Sequence, residues 1–212
     1  MLRFIYRTDI SNYPDLAHSM HRDRADQFAR RLGWEVTVDA NGEERDAYDA
    51  LNPLYVIWQR PDGLHGGSMR LLPTAGRTMI NEHFQHLLPS GPVHARDTWE
   101  CTRFCLAPGA AAHVAAALML GGGEVLRGLG LRHYIGVFDA RMERIYRFIG
   151  SAPEVLGQDG TGRDRVSAGL WGLTDADRAR VARRARLSTD ISELWFRRAA
   201  LAAPMARPRV AA

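Results

Sequence analysis

Apolar and polar positions alternate over residues 2–7 (Leu-Arg-Phe-Ile-Tyr-Arg), the period of a strand with one buried face. Residues 9–15 are turn-like. Residues 16–32 place Met20, Phe28 and Leu32 among many Arg and Asp, which predicts a helix with a thin apolar stripe. Gly33 ends that helix. Residues 34–38 (Trp-Glu-Val-Thr-Val) alternate again and predict a strand. Asn41-Gly42 marks a turn, and residues 43–50 read as a strongly charged loop. The dense apolar run at 54–59 predicts a buried strand. Asp62-Gly63 turns the chain, and residues 67–72 return as the partner strand of a hairpin.

Beyond the hairpin, residues 79–88 predict a short helix or loop. Residues 98–106 predict a strand. Regular alternation puts Trp99, Cys101, Arg103 and Cys105 on one face and Thr98, Glu100, Thr102 and Phe104 on the other. Residues 110–129 predict an Ala-rich helix interrupted by Gly121-Gly122-Gly123. That triplet lacks both a P-loop Lys and the dinucleotide pattern, so it reads as a helix break rather than a phosphate cradle. Residues 133–138 predict a strand, and 140–149 a helix closed by Gly150. Residues 167–173 predict a short strand, Thr174 caps a further helix, and Ser188 starts another. Residues 202–212 read as a frayed tail. The order is that of a mixed α/β fold forming a single domain over 1–212, with no internal repeat.

Composition narrows the function classes. A chain of 212 residues supports one substantial core. No apolar run approaches the roughly 20 residues of a membrane helix, and residues 1–7 mix charge with apolar groups, so a cytoplasmic location is expected. Cys101 and Cys105 read as reduced core thiols. The eight His are scattered, and no metal site is expected. A net charge of +4 suits DNA, an acidic carrier protein or a phosphate-bearing substrate equally.

Several polar clusters resist a packing-only account. Arg24 and Phe28 lie four apart on the predicted helix and share a face, with Trp34 just beyond; the plainer reading is a solvated Arg and a core ring. Asp46 and Asp49 precede a buried strand and suit a cationic or hydroxylated ligand, or else form a solvated turn. Arg70 falls inside an apolar strand, where a buried guanidinium needs a partner. Glu100 and Arg103 are ionised groups in one interior strand, on opposite faces unless a local bulge brings them together.

Arg24-x-x-x-Phe28 with Trp34, Asp46-x-x-Asp49, Arg70 within Ser-Met-Arg-Leu-Leu-Pro-Thr, and Glu100-x-x-Arg103-Phe104 together resemble the LuxI-type acyl-homoserine lactone synthase family. The match spans roughly residues 1–150, and the runs Glu-Arg-Asp-x-Tyr-Asp-x-Leu-Asn-Pro and Trp-Glu-Cys-Thr-Arg-Phe-Cys look alphaproteobacterial. The C-terminal third is less typical.

The resemblance implies a GCN5-type N-acetyltransferase-like fold: a twisted mixed sheet flanked by helices, with a cleft between splayed strands. It implies acylation of the amine of S-adenosylmethionine from an acyl carrier protein thioester or acyl-CoA. Lactone closure then releases 5′-methylthioadenosine, as a quorum-sensing signal is made. The adenosylmethionine is a substrate, and no cofactor is implied. The catalytic set is then Glu100, Arg103, Asp46, Asp49 and Arg70, with Glu100 as base for the amine. Arg24, Phe28 and Trp34 serve the adenosylmethionine, the rings by stacking and cation–π contact, and the polar Arg24 helix as a lid.

The acyl pocket is expected among Cys101, Phe104, Val137, Ala140 and Met142. Relatives that prefer 3-oxo chains tend to carry a Thr near Ala140. Ala has no donor, so an unsubstituted or 3-hydroxy chain of medium to long length is expected. Arg141, Arg144 and Arg147 form a basic stripe suited to docking an acidic carrier, and the Arg-rich run 178–186 is a second candidate. Neither nucleic-acid binding nor membrane insertion is expected. The rival readings are another N-acyltransferase of the same fold, a basic nucleic-acid-binding regulator led by the 178–186 run, and a degenerate synthase kept for binding.

Overall fold

The computed structural model describes residues 1–202, so the predicted tail at 203–212 lies outside the described residues. Seven strands form one sheet: β1 (Leu2–Tyr6), β2 (Leu54–Gln59), β3 (His65–Pro73), β4 (Thr98–Leu106), β5 (His133–Asp139), β6 (Glu154–Asp159) and β7 (Val166–Trp171). Their order is β1-β2-β3-β4-β5-β7-β6. The first four pair antiparallel, β2 with β3 as the predicted hairpin. β4 and β5 are parallel and share a short register, from Thr98 opposite His133 to Glu100 opposite Ile135. Beyond Glu100 the two strands part.

The helices are α1 (Pro14–Ala25), α2 (Met79–His83), α3 (His113–Leu129), α4 (Ala140–Ile149), α5 (Asp175–Ala185) and α6 (Thr189–Ala202). On one face of the sheet, Leu2, Phe4, Val56, Met69, Leu71 and Tyr134 pack against Leu118 and Val125 of α3. On the other face, Ile5, Tyr55 and Ile57 meet Leu16 and Met20 of α1, and further along Ile135 and Ala168 meet Ile80 of α2.

Several expectations are corrected. α3 runs unbroken through Gly121-Gly122-Gly123. A Cβ at Gly121 would lie 2.7 Å from Val56 Cγ1, and one at Gly122 2.6 Å from Met69 Cε. The glycines therefore mark close docking of helix on sheet, which repays their helical cost. Residues 34–38 form no strand. Trp34 and Val38 are exposed, and the segment contributes only a bridge from Val38 to Glu44. β6 was not expected, because an edge strand with exposed Glu154 and Asp159 carries little apolar pattern.

The decisive local feature is a bulge in β4. Arg70 pairs with Thr102 but Ser68 pairs with Cys105, so β4 holds one extra residue, and Arg103 takes φ 52°. The bulge moves Arg103 onto the face of Glu100 and Thr102. Phe104 is displaced to the α3 side, beside Trp99 and Cys101. The regular alternation expected for this strand is thus broken at Arg103.

Candidate active site

The loop before β2 is organised by its own acids. Asp46 caps the turn Ala47–Leu51, accepting from the Tyr48 and Asp49 amides, while the Asp49 carboxylate accepts from the Asp46 amide. This reciprocal cap fixes both carboxylates against β3. Arg70, fully buried, donates to Asp46 at 2.9 Å, lies 3.0 Å from Asp49, and donates through Nε to Thr102 Oγ1 at 3.0 Å. Arg24 donates to Glu44 at 2.6 Å and forks onto Asp49 at 2.9 and 3.1 Å. Arg103 bridges Glu44 at 2.9 Å and Asp46 at 2.8 Å. The Tyr55 hydroxyl donates to Asp49 at 2.7 Å.

Arg24, Arg70 and Arg103 therefore balance Glu44, Asp46 and Asp49 in one connected cluster. Arg24, Arg70, Glu44 and Asp49 are buried and Arg103 and Asp46 half-buried, and mutual pairing is what makes the burial tolerable. Burial works to raise the Asp49 pKa. Arg24 and Arg70 overcome it and hold the carboxyl well below the usual range. Asp46 is lowered in the same way, burial opposing and the Arg70 hydrogen bond prevailing.

Glu100 behaves oppositely. Burial pushes its pKa up to about 6, only partly offset by the Ile80 and Met79 amides, which donate to it at 2.5 and 3.1 Å. The Glu100 carboxylate thus occupies the capping position of α2 that Thr78 would ordinarily fill. Thr78 makes no side-chain cap, and its buried hydroxyl has no partner among the described residues.

Phe28 and Trp34 complete the rim. Their rings stack at 5.2 Å and 13°, and the Arg103 guanidinium lies 5.4 Å from the Phe28 centroid. Phe28 sits in a π-helical extension of α1, Asp26–Arg31.

The structure therefore gathers Arg24, Asp46, Asp49, Arg70 and Arg103 into one cluster, with Glu100, Phe28 and Trp34 beside it. The expected lid is corrected. Arg24 is 1% exposed and pinned by Glu44 and Asp49, and Asp23 holds His65 of β3 at 2.7 Å, so α1 is fastened to the sheet. Glu44, Tyr55, Thr78 and Thr102 escaped the sequence reading. Glu44 sits in a run, Glu-Glu-Arg-Asp, whose pattern is that of a solvated loop, and nothing local distinguishes it from Glu43.

The acyl-pocket candidates divide. Cys101, Phe104 and Met142 share the α3 side. Val137 lies on the opposite face, under α2, because β5 alternates and Tyr134 and Phe138 take the α3 side. Ala140 lines an open surface cavity of about 340 Å³ with Arg141, Arg144, Gly162 and Arg163. Arg141, Arg144 and Arg147 are exposed, as a docking stripe requires. Arg178 is removed from the second candidate dock. It is buried and donates to Glu124 of α3 at 3.0 Å, with Ser192 Oγ on the same carboxylate. Among the described residues no cluster of His, Cys, Asp or Glu is arranged to hold a metal, and no helix is long and apolar enough to cross a membrane.

Residues 10–183 match the autoinducer synthase family. The chain belongs to the autoinducer synthase family. The synthase is 38% identical to an acyl-homoserine-lactone synthase of Rhizobium etli, over 86% of this chain and 89% of that one. It also resembles the solved structure of MesI, described as a coenzyme A-dependent acyl-homoserine lactone synthase. That likeness has 25% identity and a TM-score of 0.77, covering 89% of this chain and 96% of that one. An acyl-CoA N-acyltransferase from Pseudomonas aeruginosa, 14% identical, shares the fold with a TM-score of 0.52, over 82% of this chain and 99% of that one. The synthase is accordingly an acyltransferase that makes acyl-homoserine lactones on an N-acetyltransferase-like sheet.

Proposed function

We propose that the synthase binds S-adenosylmethionine against the Arg103 face of the buried cluster and acylates its amine beside Glu100. The supporting observation is the contrast within one site: paired carboxylates held ionised next to a Glu raised to about 6. A base with that pKa accepts a proton near neutral pH, directly or through a water. The freed amine attacks the thioester carbonyl, the amide bond forms and the thiolate leaves. The methionine carboxylate then attacks its own γ-carbon, the bond from that carbon to sulfur breaks, and 5′-methylthioadenosine departs. Since the sulfonium is already a good leaving group, this second step needs chiefly proximity.

Asp46 and Arg103 reach the open side of the cluster, with side chains 19% and 10% exposed. They suit the ammonium and carboxylate of the substrate, while Arg24, Asp49, Arg70 and Glu44 position them. Trp34, exposed, offers the ring face not stacked on Phe28 to the sulfonium or adenine, while Phe28, buried against Trp34 and Arg103, holds it in place. The acyl donor is an acyl carrier protein thioester, with acyl-CoA the alternative that MesI illustrates. The carrier docks on α4, where Arg141, Arg144 and Arg147 are exposed beside Phe148. The reaction is placed in the cytoplasm, consistent with Cys101 and Cys105 both being free thiols.

Purified synthase given adenosylmethionine and an acyl thioester is expected to yield acyl-homoserine lactone and methylthioadenosine in equal amounts, read by mass spectrometry. Acylation of a different amine without lactone would overturn this reading.

A further inference from the structure

Four tyrosines are buried: Tyr48, Tyr55, Tyr134 and Tyr146. The hydroxyls of the first three donate to Glu82, Asp49 and the Gly122 carbonyl, at 2.8, 2.7 and 3.0 Å. The Tyr146 side chain is 6% exposed, yet its hydroxyl makes no hydrogen bond to a described residue and is not among the unpartnered atoms closed off from solvent, so it opens onto accessible space. Of these four phenols it alone has no protein partner, and a hydroxyl at the edge of an otherwise apolar pocket is free to take one from a ligand.

Its surroundings indicate which ligand. Tyr146 projects inward from α4 into a box of rings. The Phe138 centroid lies at 5.5 Å, Trp171 at 5.1 Å and Phe104 at 6.3 Å, all edge-on. The Trp171 indole is already spent on the Ser151 carbonyl. Burial pushes the Tyr146 phenol well above its ordinary range, with Cys101 and Asp139 adding to the push. The hydroxyl is therefore the polar group that this apolar box leaves free. The box fills the α3 side of the gap that opens where β4 and β5 part, just after Glu100 and Ile135. Glu100 faces the other side, toward α2.

An acyl chain whose carbonyl is attacked beside Glu100 must pass through this gap to reach the rings. Side chains reach about 5 Å from a sheet's mid-plane, half the spacing of packed sheets. The hydroxyl thus meets the chain a few bonds beyond the carbonyl rather than at the carbonyl itself. We propose that Tyr146 is a specificity-determining residue whose hydroxyl hydrogen-bonds an oxygen at C3 of the acyl chain. A phenol both donates and accepts, so it serves a 3-hydroxy or a 3-oxo group. Ala140, half-buried in the cavity lined by Arg141, Arg144 and Arg163, has no side-chain donor for this selection. The inference rests on the proposed acyl transfer through the strand gap.

The test is a competition between acyl thioesters of equal length, with and without oxygen at C3, using the full chain and its Tyr146→Phe variant. The variant removes one oxygen and keeps the ring box, and a thermal melt checks its fold. The wild-type synthase is expected to prefer the C3-oxygenated donor in kcat/KM. Tyr146→Phe is expected to lower that preference by about 3–10-fold, the effect of one net hydrogen bond. An unchanged ratio overturns the proposal. So does a wild-type preference for the unsubstituted donor. Equal slowing of both donors places the hydroxyl on the thioester carbonyl and also overturns it. Lactone formed from every donor with an unaltered ratio refutes the Tyr146 role alone, whereas no lactone from any donor refutes the acyl-transfer reading beneath it.

Discussion

Glu100 carries a cost that its neighbours do not. Asp46 and Asp49 have guanidinium partners within hydrogen-bond reach, whereas Glu100 is held by two backbone amides in a buried site. Its pKa rises from 4.5 to about 6 as a result. Two consequences follow with definite sign. In catalysis, kcat/KM is expected to climb with pH through an apparent pKa of about 6. Glu100→Gln should abolish that limb and cost about 10²–10⁴-fold in rate. In folding, a raised carboxyl pKa contributes stability below pH 4.5 that is lost as pH rises through 6. The difference is about 2 kcal/mol. Urea unfolding at pH 8 should therefore find Glu100→Gln more stable than wild type, and the gap should close toward pH 5. Asp49 has the opposite sign: its folded pKa is depressed, so its stability is present above 3.8 and is lost as pH falls further. Thr78 belongs to the same neighbourhood. Its unpartnered hydroxyl sits one residue from an amide that binds Glu100, where it can hold a water against that carboxylate. Thr78→Val should lower kcat by about tenfold, leave KM for adenosylmethionine within about twofold, and displace the acidic limb. An unaltered limb would deny the hydroxyl any part in the proton path.

Between residues and the whole lie the elements, and α3 shows what sequence pattern conveys poorly. Its glycines are the contact surface of the helix, not a flaw in it. Gly121→Val should drive a side chain into Val56 and Leu2 and cost about 1–3 kcal/mol, seen as a lower urea midpoint with unchanged slope. The strands of the β2–β3 hairpin were legible because their apolar run and turn signals are local. The site residues that lie in strong local contrast, such as Arg70 in an apolar strand, were legible for the same reason. The bulge at Arg103 was legible only as the alternative to regular alternation that would unite Glu100 and Arg103; what decides it is the pairing of β4 with β3, two segments separated by α2 and its flanking loops. Glu44 was not, because a carboxylate buried by Arg24 and Arg103 has the same local pattern as one facing water. Long-range pairing decides both, and it leaves no periodic trace.

For the whole molecule, charge is arranged by side. The buried cluster is balanced, while α4 presents Arg141, Arg144 and Arg147 to solvent, and Arg184 lies 4.6 Å from the centroid of the exposed Phe148 ring. Arg144→Glu with Arg147→Glu should raise KM for carrier-protein thioesters by about tenfold or more, with a loss that shrinks as salt screens it. Turnover of coenzyme A thioesters should change far less. Equal loss on both donors would move the dock elsewhere.

The brief parallel register between β4 and β5 has a mechanical meaning as well. Where two halves of a sheet meet over so few rungs, the seam is the weakest part of the framework, and anything lodged across it behaves as a clasp. Occupied by a chain that touches both banks, the seam should breathe less. Amide hydrogen exchange at residues 101–104 and 136–139 is then expected to slow together on loading, although these stretches share no backbone bond. On the proposed path, the substrate would in this way mend the gap it enters.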